Sequence, residues 1–140
     1  MTSQFNVDTI KGQTTAGSVT IQGEGTKTTN LQQGLAKAWV NLNGISTAAY
    51  RDSFNSSSLT DNATGDYTHT VTNNFGNINY VPVGLCNGNN AVDSINTYNI
   101  YYDVSRMTPT SSAFATQNQS YNSTALDNAW ILISVNGDLA

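Results

Sequence analysis

From residue 39 onward, apolar and polar residues alternate along the chain, so that apolar residues recur at every second position. The clearest run is 67–72, where Tyr67, His69 and Val71 are separated by threonines. Successive strand side chains point to opposite faces of a sheet, so this period predicts strands with one buried face. The turn formers between Asp61 and Asp66 precede the run, and they predict a β-hairpin there.

Similar alternation, bounded by Asn, Gly, Ser or Pro, predicts further strands at Asn77–Cys86, Ser94–Val104, Ser111–Thr116 and Ala129–Val135. Six to eight short strands without intervening helices are typical of an antiparallel sheet protein rather than a parallel α/β fold. We therefore expect an all-β fold, an antiparallel β-sandwich or jelly-roll-like domain over residues 39–140. The order of the strands is left open.

Composition agrees with this expectation. The chain has 19 Asn, 19 Thr and 14 Ser among 140 residues, against 14 charged residues and a net charge of −4. Asn, Ser and Thr favour turns and caps over helix interiors, which disfavours a helical bundle. Five Lys and Arg spread along the chain are too few to neutralise a run of phosphates, so we expect no nucleic-acid partner.

The first 38 residues have a different pattern. Residues 1–30 are rich in Gly, Thr and Gln, and we expect an extended N-terminal arm that gains order only against a neighbouring chain. Thr28, Thr29 and Asn30 could cap a short helix over residues 31–38. Leu31, Leu35 and Ala38 would form its narrow apolar face, which predicts a homotrimer with these helices near the axis.

No residue pattern points to catalysis. The single histidine, His69, lies within an alternating strand, and we expect it to be hydrogen-bonded on the sheet surface rather than to act as a general base. Asp61 and Asp66 flank a turn, which explains them better than a carboxylate pair for glycan hydrolysis or a cation site does. No phosphate-binding, dinucleotide, zinc or calcium motif occurs, so we expect no enzyme, no metal and no cofactor.

The single cysteine, Cys86, excludes an intrachain disulfide. The first ten residues have neither a basic region nor an apolar stretch. We therefore expect no signal peptide and no membrane anchor, and a protein made in a cytoplasm.

Loops near Asn87–Asn90, Met107–Ser112 and Gln117–Thr124 carry amides, hydroxyls and aromatic rings, which suit sugar recognition. Asn118 and Tyr121 are the predicted ligand contacts, with Tyr101 assisting. The alternative is that these loops are only solvated connectors.

Three segments resemble a known family: 29–39 (TNLQQGLAKAW), 51–55 (RDSFN) and 59–68 (LTDNATGDYT). They look like a segment that recurs in tail-fibre and appendage proteins of phages, notably short-tailed phages of marine bacteria. The opening NVDTI and the ending GDLA resemble the ends of the same small proteins. The resemblance does not extend to Cys86–Asp127.

This resemblance implies a β-rich virion protein, commonly a homotrimer. We therefore expect a trimeric tail fibre or fibre-tip protein on the virion exterior. Its N-terminal arm would attach to other virion proteins, and it would contact a glycan or protein of the host surface. The alternative is a capsid or tail decoration protein with no receptor-binding role.

Overall fold

The computed structural model of the chain describes residues 4, 6–13, 19–22, 25–87, 98–102, 108–120 and 123–138. The chain divides into two compact units, Met1–Leu35 and Ala36–Ala140. Within the described ranges, no helix is long and apolar enough to cross a membrane.

The N-terminal unit contains a short antiparallel hairpin of strands β1 (Thr20–Gln22) and β2 (Thr28–Asn30). A single helical turn, α1 (Leu31–Gly34), follows directly. The Leu31 backbone N–H donates a hydrogen bond of 2.9 Å to the Val19 carbonyl. This unit is thus held by local backbone pairing.

The predicted helix over residues 31–38 is wrong beyond Gly34, because strand β3 (Ala36–Asn43) begins at Ala36. Ala38 is fully buried and alternates with the buried Val40 and Leu42 along that strand. Leu31, Leu35 and Ala38 happen to have helical spacing, but pairing of residues 36–42 with another strand overrides this local pattern.

The second unit is built from two four-stranded sheets in which every described strand pair is antiparallel. One sheet has the order β4-β3-β10-β7, and the other has the order β5-β6-β9-β8. The remaining strands are β4 (Ala49–Phe54), β5 (Ser56–Ala63), β6 (Asp66–Val71), β7 (Val81–Cys86), β8 (Tyr98–Tyr102), β9 (Ala113–Ser120) and β10 (Ile131–Asn136). The prediction of an all-β antiparallel fold is confirmed.

Both sheets contribute to one core. The β3 and β10 side of the first sheet supplies Leu42, Ile131 and Ile133, and the second sheet supplies Tyr67 and Phe114. Tyr80, in the segment before β7, packs at 6.3 Å from the Phe114 ring centroid and donates a hydrogen bond to the Ala113 carbonyl. Burial of large rings at this position supplies much of the apolar area that drives folding.

The predicted hairpin is present as β5 and β6, joined by Thr64 and Gly65. Gly65 has a φ of +69°, a left-handed conformation that favours glycine. The prediction missed β4, and it placed residues 117–120 in a loop although they end strand β9. The side chains of β4 are mostly exposed. The strand therefore needs few apolar residues, and its sequence shows only a weak alternation of apolar and polar residues.

Candidate functional site

The most unusual surface in the described part of the chain is the side of the first sheet that faces away from the core. Strand β10 buries Ile131, Ile133 and Val135, so its intervening side chains, Leu132 and Ser134, point outward. Strand β3 likewise turns Trp39 outward between buried neighbours. The period of two therefore creates a second face, and this one carries large apolar groups.

Strand register aligns these outward side chains in two rows. Leu85 of β7 lies opposite Leu132, which lies opposite Asn41 of β3. In the adjacent row, Val83 lies opposite Ser134, which lies opposite Trp39. These six residues, Trp39, Asn41, Val83, Leu85, Leu132 and Ser134, are called the outer face below.

The outer face is open and apolar. Leu85 is 74% exposed, Leu132 43% and Trp39 37%. Together with their neighbours they line a shallow depression of about 570 Å³. Phe54 extends the apolar surface beyond Trp39, because it pairs with Trp39 across β3 and β4 and is half exposed. Contiguous apolar surface of this kind marks an interaction site more often than a solvated one.

An Arg51–Trp130 pair lies next to the first residue of β10. The Arg51 guanidinium stacks 4.0 Å above the Trp130 ring and donates hydrogen bonds to the Leu42 carbonyl and to Asn43 Oδ1, each 3.1 Å long. The Trp130 backbone N–H donates to Asn87 Oδ1 at 2.9 Å. One ring face of Trp130 is thus covered by an intramolecular cation–π contact.

His69 is buried rather than exposed on the sheet surface, which corrects the sequence prediction. Its Nδ1 lies 3.0 Å from the Tyr50 hydroxyl and its Nε2 lies 3.0 Å from Thr116 Oγ1. The ring also stacks on Phe114 at 4.8 Å. Burial lowers the pKa of His69 from 6.5 to about 3, so the imidazole is neutral and joins the two sheets as a hydrogen-bonding core residue.

Burial raises the pKa of the Tyr50 hydroxyl to about 12. This hydroxyl also lies 3.2 Å from the Ser58 carbonyl, to which it donates. His69 Nδ1 pairs with this hydroxyl, and His69 Nε2 pairs with the Thr116 hydroxyl. The tautomer of His69 is therefore set by its two neighbours.

The carboxylates near the hairpin act as structural acceptors. Asp127 Oδ1 accepts hydrogen bonds from the Gly65 N–H at 2.7 Å and from the Tyr67 hydroxyl at 2.8 Å. Asp66 accepts one from the Asn62 amide at 3.2 Å. In the ranges that the structure describes, no three His, Cys, Asp or Glu side chains are grouped so that they could hold a metal ion. Asp66 is fully buried at the start of β6, directly after the turn residues Thr64 and Gly65.

Among the predicted ligand contacts, only Asn118 has a side chain within the described part of the chain. Asn118 is fully buried inside strand β9, so it is not the surface contact that was predicted. Tyr121 lies outside the described residues. Tyr101 belongs to β8, where its backbone pairs with Gln117, and its side chain is outside the described set. The polar residues after Thr116 predicted a loop, but their pairing with β8 and β6 places residues 117–120 in a sheet.

Among the predicted trimer contacts, Leu31 is partly buried and Leu35 is 55% exposed. Ala38 is enclosed in the core of its own chain, so it offers no surface to another subunit. Sequence reasoning missed the outer face, although the signal was present: β3 and β10 contain consecutive apolar residues, such as Trp39-Val40 and Ile131-Leu132-Ile133. Apolar neighbours in a strand indicate that both faces are covered.

Asn118 provides a test of this placement. Both its Oδ1 and its Nδ2 are buried without a hydrogen-bond partner among the described residues, whereas the Thr116 hydroxyl on the same strand bonds to His69. Asn118→Val is expected to raise the free energy of unfolding by about 1 kcal/mol, because it removes two unsatisfied polar groups. Thr116→Val, the matched control, is expected to lower it by about 1 kcal/mol. Equal losses in the two variants, measured by denaturant titration, would contradict the placement of Asn118.

Comparison with known proteins found no matching family model, no matching curated protein and no matching solved structure.

Proposed function

We propose that this chain is a non-enzymatic structural subunit of a phage virion. In this proposal it is a homotrimeric tail fibre or fibre-tip protein. It attaches to the particle through residues 1–30 and contacts the host surface with its second unit. The proposal combines the resemblance of residues 29–39, 51–55 and 59–68 to fibre segments with the surface properties of the second unit.

The observation that carries the proposal is the outer face. The two sheets already share a core that includes Leu42, Phe114 and Ile133, yet Trp39, Leu85 and Leu132 stay exposed on the opposite side of one sheet. Exposing large apolar side chains is unfavourable in water, so a surface like this is typical of a protein that works within an assembly.

The packing around that shared core also supports a β-sandwich. Side chains of β3 and β10 meet side chains of β6 and β9 in one buried cluster, and His69 stacks between Tyr50 of the first sheet and Phe114 of the second. Two antiparallel sheets with interdigitating inner faces are the arrangement of a sandwich. Proteins with this scaffold have many unrelated functions. The scaffold therefore agrees with a virion role as a rigid framework, but it does not distinguish that role from others.

The proposed contact with the host is made by aromatic side chains of the second unit. With Asn118 buried, the aromatic candidates for a glycan contact are Tyr101 and Tyr121. Tyr101 is on β8, the edge strand of the second sheet, which pairs with β9 along one side. Trp130 is less suited to stacking on a sugar, because Arg51 covers one face of its ring.

Localising the protein on purified particles tests the proposal. A labelled antibody against the chain is expected to bind at the tail, because a receptor-binding protein must lie where the particle first touches the cell. An antibody against a known capsid protein serves as the control for labelling. Signal spread over the capsid shell would support the decoration alternative, and absence of the chain from purified particles would refute a virion role.

A further inference from the structure

The outer face differs from the rest of the surface in its charge. Its six residues are uncharged, and the two charged side chains beside it have opposite signs: Asp52 lies opposite Asn41, and Arg51 stacks on Trp130. The chain as a whole has a net charge of −4. Two copies of an acidic protein repel each other in most relative orientations, and a surface without net charge removes that repulsion where they meet. This favours a second copy of the same chain as the occupant over a basic partner, which would need acidic groups to bind.

The area of the surface is also sufficient for self-association. Trp39, Val83, Leu85 and Leu132, extended by Phe54 and Val81, are each between 37% and 74% exposed. They present on the order of 500 Å² of apolar side chain, near the upper end for a monomer surface. A standard interface buries about 800 Å² per partner, of which roughly 60% is apolar, so about 500 Å² of apolar side chain is the amount that one partner contributes.

The edges of the sheet favour contact through the face. Strand β7 is an edge strand of the first sheet, and it contains Pro82. Proline has no N–H to donate, so an incoming strand cannot form a full ladder along this edge. Association through the β7 edge is therefore disfavoured, which favours the outer face as the surface of this sheet that contacts a second copy. Trp39 near the centre provides the large ring that commonly anchors such interfaces.

We infer that copies of this chain bury the outer face against one another. The inference rests on the proposed assembly role and specifies the surface through which assembly occurs. It moves the site of self-association from the short N-terminal helix to the sheet of the second unit.

Leu85→Lys, alone and combined with Leu132→Lys, tests the inference in the full-length chain. Both side chains point away from the core, so a lysine at either position can remain solvated in the monomer. Gel filtration with light scattering is expected to give a multiple of the 15.0 kDa chain mass for the wild type. The variants are expected to raise the dissociation constant roughly tenfold or more, because the interface would have to bury an unpaired charge.

Ile78→Lys is the matched control. Ile78 is 54% exposed, like the residues of the outer face, but it lies in the segment before β7. This variant is expected to associate like the wild type, and circular dichroism should show the same β content in all variants. A wild type that is monomeric at high micromolar concentration, or a Leu85→Lys variant that associates normally, would overturn the inference.

The outcomes also separate this inference from the proposed function. Normal association of the lysine variants would leave a trimeric fibre possible through another surface, such as Leu31 and Leu35. A dimer that the lysine variants dissociate would support the outer face as the interface and contradict the trimer.

Discussion

Gly65→Ala is expected to destabilise the second unit by roughly 3 kcal/mol, the largest effect of a single added methyl group that the structure indicates. Gly65 has a φ of +69°, where an L side chain is strained. A Cβ at this position would also lie 2.7 Å from the Asn118 carbonyl oxygen and 2.8 Å from that of Leu126. Both are backbone atoms, so neither can move aside without displacing its segment.

The hairpin tip is held by the same neighbours. The Gly65 carbonyl accepts a hydrogen bond from the Asn118 N–H, and the Gly65 N–H donates one to Asp127 Oδ1. An added methyl group would therefore push the tip away from the two segments that anchor it.

Thr64→Ala is the matched control, because Thr64 is the exposed neighbour in the same two-residue turn. It is expected to change the free energy of unfolding by about 0.5 kcal/mol or less. Urea unfolding of the two variants beside the wild type measures the difference. Equal stability of Gly65→Ala and Thr64→Ala would mean that the hairpin tip does not contact residues 118 and 126.

The hairpin could be predicted from sequence because its pattern is local. Tyr67, His69 and Val71 alternate with threonines, and a glycine lies where the turn needs a left-handed residue. The helix over residues 31–38 could not be judged in the same way. Its apolar spacing was satisfied, but Ala38 belongs to a strand that pairs with residues almost one hundred positions away.

The candidate site was harder to predict than the fold. Trp39 and Leu132 are apolar, so the sequence indicates that they favour burial. It does not indicate whether their own chain or another chain buries them. Only the register between β3, β10 and β7 places Trp39, Leu132 and Leu85 on one surface. Asn118 illustrates the opposite error, because a polar side chain was assigned to the surface although the fold buries it fully.

Stability of the protein is expected to fall by about 2 kcal/mol between pH 7 and pH 5 through His69 alone. Burial lowers the pKa of His69 in the folded state to about 3, from 6.5 for an ordinary histidine. As the pH falls through 6.5, the unfolded chain binds a proton at this residue and the folded chain does not. The contribution is therefore fully present above pH 6.5 and is lost progressively as the pH falls towards 3.

His69→Gln isolates this effect, because His69 is the single histidine of the chain and most carboxylates stay ionised at pH 5. The variant is expected to be less stable at pH 7, since it weakens the contacts with Tyr50 and Thr116, but its stability should change little from pH 7 to pH 5. Denaturant titrations at both pH values measure the difference. If the variant does not fold, proton NMR of the wild type answers the same question, because a single imidazole gives one assignable signal. A titration midpoint near 6.5 would show that solvent reaches the ring, and it would contradict a neutral histidine buried between the sheets.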